Sequence, residues 1–381
     1  MRILVNGSNL NKGGGIQVGN SLISEFANHA EHEFLVVCAS ILYDSLKQDF
    51  SKYPASMKVV KSDSCGFKDK ACRVFRINPL LNKLEKEFAP DVVFTIFGPS
   101  LWKPKAPHLC GFARPQNIYH ESPFFRLLDW KVKIKRKGKE FLAMQSFRND
   151  SDILASETDD VSTRLRSLLS GKKVYTVSNS CHEVFDDEAL QTYFQLPDFH
   201  GVTLLTIASS YPHKNLQIIP KVGQILEKKY PDFQFRFVVS VDAEEFHYTA
   251  TNCPEWLLPI GQVRIENCPS LYKQSTFMFL PTLLECFSAS YAEAMKTSTP
   301  IITSDLSFAH GLCQDAAVYV DTLNAEAVAD AIYELSHDKE KQKQMIQAGK
   351  QRLATFLTPK QRADRYLEIL QELFENRKIN K

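Results

Sequence analysis

The stretch Pro281-Thr-Leu-Leu-Glu285-Cys-Phe-Ser-Ala-Ser290-Tyr-Ala-Glu293-Ala-Met295 carries two carboxylates eight positions apart, where an apolar run gives way to a helical pattern. Residues 277–280 have the character of a buried strand, Pro281 ends it, and a helix is expected from about Ser288. Glu285 then falls on the strand-to-helix loop and Glu293 more than one turn into the helix. Helical side chains lean toward the N-terminus, so Glu293 can approach the crevice that Glu285 faces. Open wound sheets take ligands at this carboxyl edge. The N–H groups of Cys286, Phe287, Ser288, Ala289 and Ser290 would face an anion such as a diphosphate. Carboxylates are poor partners for phosphate, so Glu285 and Glu293 would take hydroxyls of ribose or sugar. The same spacing also fits two surface glutamates that bind nothing.

Three further segments carry usable chemistry. Ala208-Ser209-Ser-Tyr-Pro-His213-Lys214-Asn215 follows an apolar run directly, and a lysine at such a turn reaches a phosphate as a point charge or stays solvated. Lys12-Gly13-Gly14-Gly15-Ile16 follows the first apolar run. Glycines there let backbone amides approach a phosphate or sugar, or form a plain surface turn. Gly19 stands four residues after Gly15, so the dinucleotide fingerprint Gly-x-Gly-x-x-Gly is not met. In His108-Leu-Cys-Gly-Phe-Ala-Arg114-Pro-Gln-Asn117-Ile-Tyr-His120, His108 has the setting of a strand residue, while Arg114, Asn117 and His120 occupy the loop.

Two charged segments invite other chemistry. Seven basic residues lie between Arg126 and Lys139, interleaved with Leu127, Leu128, Trp130, Val132 and Ile134. That mixture suits anionic lipid headgroups, an anionic acceptor, or a solvated face. Asp150-Ser-Asp152 has the form of a metal motif, but it precedes a strand, on the wrong edge for a site, and no metal or other cofactor is expected.

These residues depend on a frame of alternating strands and helices. In the first half, strands are expected at 3–6, 34–39, 92–96, 108–113, 153–156 and 174–177, with Val18, Leu22, Ile23 and Phe26 on one helix face. A second series follows at 204–208, 235–239, 278–280, 300–303 and 317–320. Strands alternating with helices make a parallel wound sheet, and two series make two Rossmann-like domains. The expected domains are 1–197 and 198–357, followed by a helix over 358–381 that packs back toward the first. Thr358 would cap that helix, with Pro359 at its first position.

Composition narrows the classes. A chain of 381 residues is long enough for two cores. Its 46 basic and 44 acidic side chains leave a formal charge of +2, which gives no case for nucleic acid. Nine cysteines without a Cys-x-x-Cys pair suit reduced thiols in a cytoplasm. No apolar stretch approaches the ~20 residues a membrane span needs, and Met1 leads straight into a strand-like run without a signal peptide. A soluble cytoplasmic protein is expected, or one peripheral to the inner membrane face.

From about Val202 to Phe374 the chain resembles the retaining glycosyltransferases of family four, which are group 1 glycosyltransferases with the GT-B fold. The family's E-x7-E element resembles Glu285 and Glu293, and its Gly-Arg-Leu-x-Pro-x-Lys-Gly/Asn turn resembles Ala208 to Asn215. Its Gly…Leu-Tyr…Ala/Ser-Asp segment is similar to Gly261, Leu271-Tyr272 and Ser275-Thr276, and its Thr-Pro-Val-Ile-x-Ser-Asp to Thr299 through Asp305. The resemblance implies two Rossmann-like domains with parallel sheets facing across a cleft, 1–197 for the acceptor and 198–357 for the donor. It implies a nucleoside-diphosphate sugar as donor and a saccharide or lipid-linked acceptor, as in surface polysaccharide or glycolipid synthesis. Glu293 would bind the ribose, Glu285 the transferred sugar, and Lys214 the diphosphate, with backbone amides around Phe287 and Ala289 and the Gly13–Gly15 loop assisting. Arg114, Asn117 and His120 share the position at which relatives contact the sugar with a histidine. Ser209 stands where the family has a phosphate-binding arginine, and Cys286 and Ser288 stand where it has glycines. Those departures also fit a non-catalytic donor-binding or partner subunit, and the fold also accommodates a nucleotide-sugar epimerase.

Overall fold

In the computed structural model, which describes residues 1–11, 13–62, 76–249 and 252–379, the apolar runs pair as parallel strands in two sheets. Contacts divide the chain into two units. Met1–His120, Leu128–Asn179 and Leu357–Lys381 form the first; Glu121–Leu127 and Ser180–Phe356 form the second.

The first unit holds β1 (Arg2–Gly7), β2 (Glu33–Ala39), β3 (Met57–Ser62), β4 (Val92–Thr95), β5 (His108–Phe112), β6 (Ile153–Ser156) and β7 (Lys173–Thr176), in the order β3-β2-β1-β4-β5-β6-β7. Its inner strands are buried nearly throughout, as a sheet covered on both faces requires. Helices α1 (Gly14–Phe26), α2 (Ser40–Leu46), α3 (Pro79–Phe88), α4 (Trp130–Asn149) and α5 (Asp159–Leu168) belong to it. So does the last helix, Pro359–Ile379, which places Ala363, Tyr366, Ile369 and Leu370 in the core with Phe26 and Phe94. The Tyr366 and Phe94 rings lie 4.7 Å apart. The Thr358 hydroxyl accepts from the Gln361 amide, and the Gln361 side chain accepts from the Thr358 amide, a reciprocal cap.

The second unit holds β8 (Val202–Thr206), β9 (Phe235–Val239), β10 (Leu257–Pro259), β11 (Phe277–Leu280), β12 (Ile301–Ser304) and β13 (Ala317–Val320), in the order β10-β9-β8-β11-β12-β13. Its helices are α6 (Ile218–Lys229), α7 (Cys268–Lys273), α8 (Ala289–Lys296), α9 (Ser307–Cys313), α10 (Ala325–His337) and α11 (Lys339–Leu353), which makes Pro359–Ile379 α12. Residues 180–196 are sewn onto this unit. The Phe194 amide donates to Ser270, the Leu196 amide to Gln274, and the Gln274 amide group to the Phe194 carbonyl.

Two strands were not anticipated, β3 and β10, and both are sheet edges. Met-Lys-Val-Val-Lys-Ser in β3 mixes lysines with apolar residues because an edge has less surface to bury. Of the glycine run, Lys12 lies outside the described residues. Gly14 and Gly15 form the first turn of α1, so the segment is the start of a helix and not an open loop.

Candidate active site

In both sheets the strand order reverses beside the first strand: between β1 and β4 in the first unit, and between β8 and β11 in the second. At such a point the loops leave in opposite directions and open a crevice at the carboxyl ends of the strands. Lys214 and Glu285 emerge from the loops after β8 and β11 respectively, at the second of these points.

Several hydrogen bonds fix the two loops together. The Leu283 amide donates to the His213 carbonyl at 2.7 Å, and the Thr282 hydroxyl reaches the Glu285 carboxylate at 2.9 Å. Asn215 takes the left-handed conformation (φ 55°) that ends the Pro212–Lys214 turn, and its amide group donates to the Thr322 carbonyl at 2.8 Å. The turn thereby presents Lys214 to Glu285, and the two form an ion pair with 14% and 10% of their side chains exposed. His213 lies between the rings of Tyr211, stacked at 5.6 Å, and Phe124, edge-on at 6.0 Å. Burial holds its pKa below the usual histidine value, which favours a neutral ring beside Lys214.

Glu293 lies in the second turn of α8 and is 5% exposed. The Tyr272 hydroxyl donates to its carboxylate at 3.0 Å. Burial raises the Glu293 pKa to about 7, partly offset by that hydrogen bond. Ser288 occupies the N-cap of α8, and its side chain makes no capping bond to the first amides of the helix. Cys286 and Ser288 are buried, and Phe287 packs edge-on to Phe356 at 5.8 Å. Ser209 is exposed, one residue before Ser210, which bonds to Glu245.

The other singled-out residues lie in the first unit. Gly13 caps α1 with φ 70°, a conformation that disfavours any side chain, and Gly14 has no atom within 4 Å of where a Cβ would lie. This helix start follows β1, at the first unit's own switch point. Arg114 donates to the Asn117 side chain at 3.1 Å, and buried Asn117 donates to the Glu140 carbonyl, so these two form a loop network. His120 is exposed and apart from that network's bonds. His108 is a core residue. Its ring bonds Thr95 and the Asp150 carbonyl, and burial lowers its pKa to about 4. Asp152 accepts from the His108 amide and Asp150 pairs with Arg76 at 2.9 Å, both at the amino edge. Among the described residues no three His, Cys, Asp or Glu side chains gather as a metal would require.

Two features had no sequence signal. Tyr272 as partner of Glu293 comes from another helix. The segment 121–127 returns to the second unit, where the Ser122 hydroxyl donates to the Leu283 carbonyl at 2.6 Å, next to the Lys214–Glu285 pair.

Comparison with known proteins bears on this arrangement. No curated protein sequence matches the chain significantly. Sucrose-phosphate synthase from Thermosynechococcus elongatus has a TM-score of 0.73 at 13% identity, covering 99% of this chain and 100% of its own. A glycosyltransferase from Rickettsia africae has a TM-score of 0.70 at 14% identity, covering 98% and 99%. Anabaena HepE in complex with UDP and glucose has a TM-score of 0.69 at 13% identity, covering 97% and 99%. With its two parallel-sheet, Rossmann-like units the chain has the GT-B fold, and its residues 200–352, which include Lys214, Glu285 and Glu293, match the family of glycosyl transferases group 1.

Proposed function

We propose that the protein is a retaining, metal-independent glycosyltransferase that moves a sugar from a nucleoside-diphosphate sugar to an acceptor hydroxyl. The acceptor would be a saccharide or lipid-linked chain in surface polysaccharide or glycolipid synthesis, at the cytoplasmic face of a membrane. The observation that carries this is the largely buried Lys214–Glu285 pair at the β8/β11 switch point, inside the stretch that matches group 1 glycosyl transferases. The UDP and glucose of the HepE complex support the donor class.

In this reaction the bond from the anomeric carbon to the diphosphate oxygen breaks. A bond to the acceptor oxygen forms on the same face, and the acceptor proton passes to the leaving phosphate. Negative charge grows on that phosphate, so groups aimed at it lower the barrier. Lys214 and the amides at the start of α8 take that task. As the diphosphate engages Lys214, Glu285 is released to accept hydrogen bonds from the sugar, and ionised Glu293 accepts from the ribose. Gly13, Gly14 and Gly15 would offer amides to the donor, and Arg114 or His120 would meet the sugar or acceptor. Ser209 supplies no charge, so Lys214 carries the cationic part of the phosphate site.

Thermal stabilisation by a panel of nucleotide sugars tests donor binding, because a ligand of the native state raises apparent stability with its affinity. Product analysis by NMR then follows the anomeric configuration. Binding without turnover across acceptors would instead mark a donor-binding subunit, a role consistent with Ser209, Cys286 and Ser288. Conversion of the sugar without acceptor would mark an epimerase.

A further inference from the structure

The first three turns of α4 lie on the surface of the unit that carries them, held on one side to loop 114–117, where Arg136 donates to the Gln116 carbonyl and the Glu140 carbonyl accepts from Asn117. No side chain from Trp130 to Leu142 is buried, whereas Ala143, Ser146 and Phe147 anchor the remainder, with Phe147 packed on Phe112 at 4.9 Å. Trp130 is 62% exposed, Ile134 63% and Phe141 64%. At about 100° per residue these three fall within an arc of about 40°, on a stripe about 17 Å long. Five of the thirteen exposed large apolar side chains among the described residues lie in this one segment, so the exposure is concentrated here and not scattered.

The charge around the stripe has one sign. Lys131, Lys133, Lys135, Lys137 and Lys139 project from the same turns, with Lys131 5.6 Å from the Trp130 ring. Both acids are engaged: Asp129 caps the helix by accepting from the Lys131 amide, and Glu140 pairs with Arg136. Lys137 falls on the stripe itself, between Ile134 and Phe141. A dry protein interface over these residues would bury that ammonium without a partner. A lipid interface imposes no such cost, because lysine stems lie along the acyl boundary while their charges reach lipid phosphates.

We propose that the exposed face of α4 docks on an anionic bilayer, with Trp130, Ile134 and Phe141 inserted among the headgroups and the flanking lysines on lipid phosphates. This goes beyond charge attraction alone. It deepens the membrane side of the proposed function without resting on the identity of the donor.

The test uses the full chain and vesicles of phosphatidylcholine, with and without phosphatidylglycerol, at low and high salt. Wild type should sediment with the anionic vesicles only, partly released by salt. Trp130 emission should shift to the blue, and Trp102 and Trp256, 1% and 8% exposed, should contribute little to the change. Trp130→Ser/Ile134→Ser/Phe141→Ser alters only exposed positions. It should lower partitioning about tenfold or more and abolish the salt-resistant remainder. Lys131→Gln/Lys133→Gln/Lys135→Gln/Lys137→Gln should remove the preference for anionic lipid. Stabilisation by the best nucleotide sugar should be unchanged in both variants, which separates this surface from the donor site. The proposal is overturned if wild type stays in the supernatant with unshifted emission, or if the serine variant binds like wild type. It is equally overturned if the stripe proves to join two copies, seen as a dimer that the serine variant disperses.

Discussion

Replacing Glu293 by glutamine should stabilise the protein, and only above the carboxylate's own titration. Glu293 is buried in α8 with one hydrogen bond, from Tyr272, and its pKa rises from 4.5 to about 7. The folded state therefore holds the proton more tightly than the unfolded chain. Stability from this group is full below the unfolded pKa of 4.5 and is lost as pH climbs to about 7. At about 1.36 kcal/mol per unit the loss is about 3 kcal/mol. Glu293→Gln keeps the shape and the acceptor for Tyr272 but carries no charge, so it should escape the loss. Thermal unfolding at about pH 5 and about pH 8 should show the variant ahead of wild type mainly at the higher pH, by roughly 6–12 °C at most. Tyr272→Phe should move the wild-type pH dependence upward, because the hydroxyl favours the ionised form. If Glu293 holds the donor ribose as proposed, binding of the nucleotide sugar that best stabilises the protein should weaken as pH falls through about 7, because the diphosphate itself does not titrate there. An equal offset between Glu293→Gln and wild type at both pH values would refute the argument that burial of this carboxylate costs stability.

Other perturbations separate the parts of the site. Lys214→Ala leaves Glu285 buried and unpaired, so it should cost about 3–5 kcal/mol of stability and weaken nucleotide-sugar binding at least tenfold, read by denaturation and calorimetry. Glu285→Ala frees Lys214 and should lower turnover more than affinity for the nucleoside diphosphate; equal losses in both would contradict the division of labour. Activity should survive EDTA, and a restorable requirement for magnesium or manganese would show that the phosphate site is misassigned. Gly111→Ala would put a Cβ 1.9 Å from the Ile96 carbonyl oxygen and should cost about 3 kcal/mol or more. In contrast, Gly14→Ala meets nothing within 4 Å and should gain up to about 1 kcal/mol in α1, as chemical denaturation would show.

Much of this protein is written in local pattern. Strands such as β8 and β11 are buried on both faces and so show as unbroken apolar runs, and Ala363, Tyr366 and Leu370 mark the inner face of α12. Thr358 and Pro359 announce where that helix starts. The types of residue near the second switch point, a lysine after one strand and glutamates after another, are legible because each depends only on its own strand, loop and helix. Partnership is not legible in this way. Lys214 meets Glu285 across 71 positions because β8 and β11 are neighbours in the sheet, and Tyr272 meets Glu293 because α7 and α8 pack together. The strand order likewise puts β3 and β10 at edges, where relaxed burial erases the apolar signal that would have revealed them. Segment 121–127 joins the second unit through Ser122 and Phe124, although its neighbours on either side fold with the first. Exposure of Trp130, Ile134 and Phe141 was also decided in three dimensions, since the same sequence pattern would serve to bury them against a sheet. Periodicity records which side of an element avoids water; what lies on that side depends on chain reversals that no local window contains.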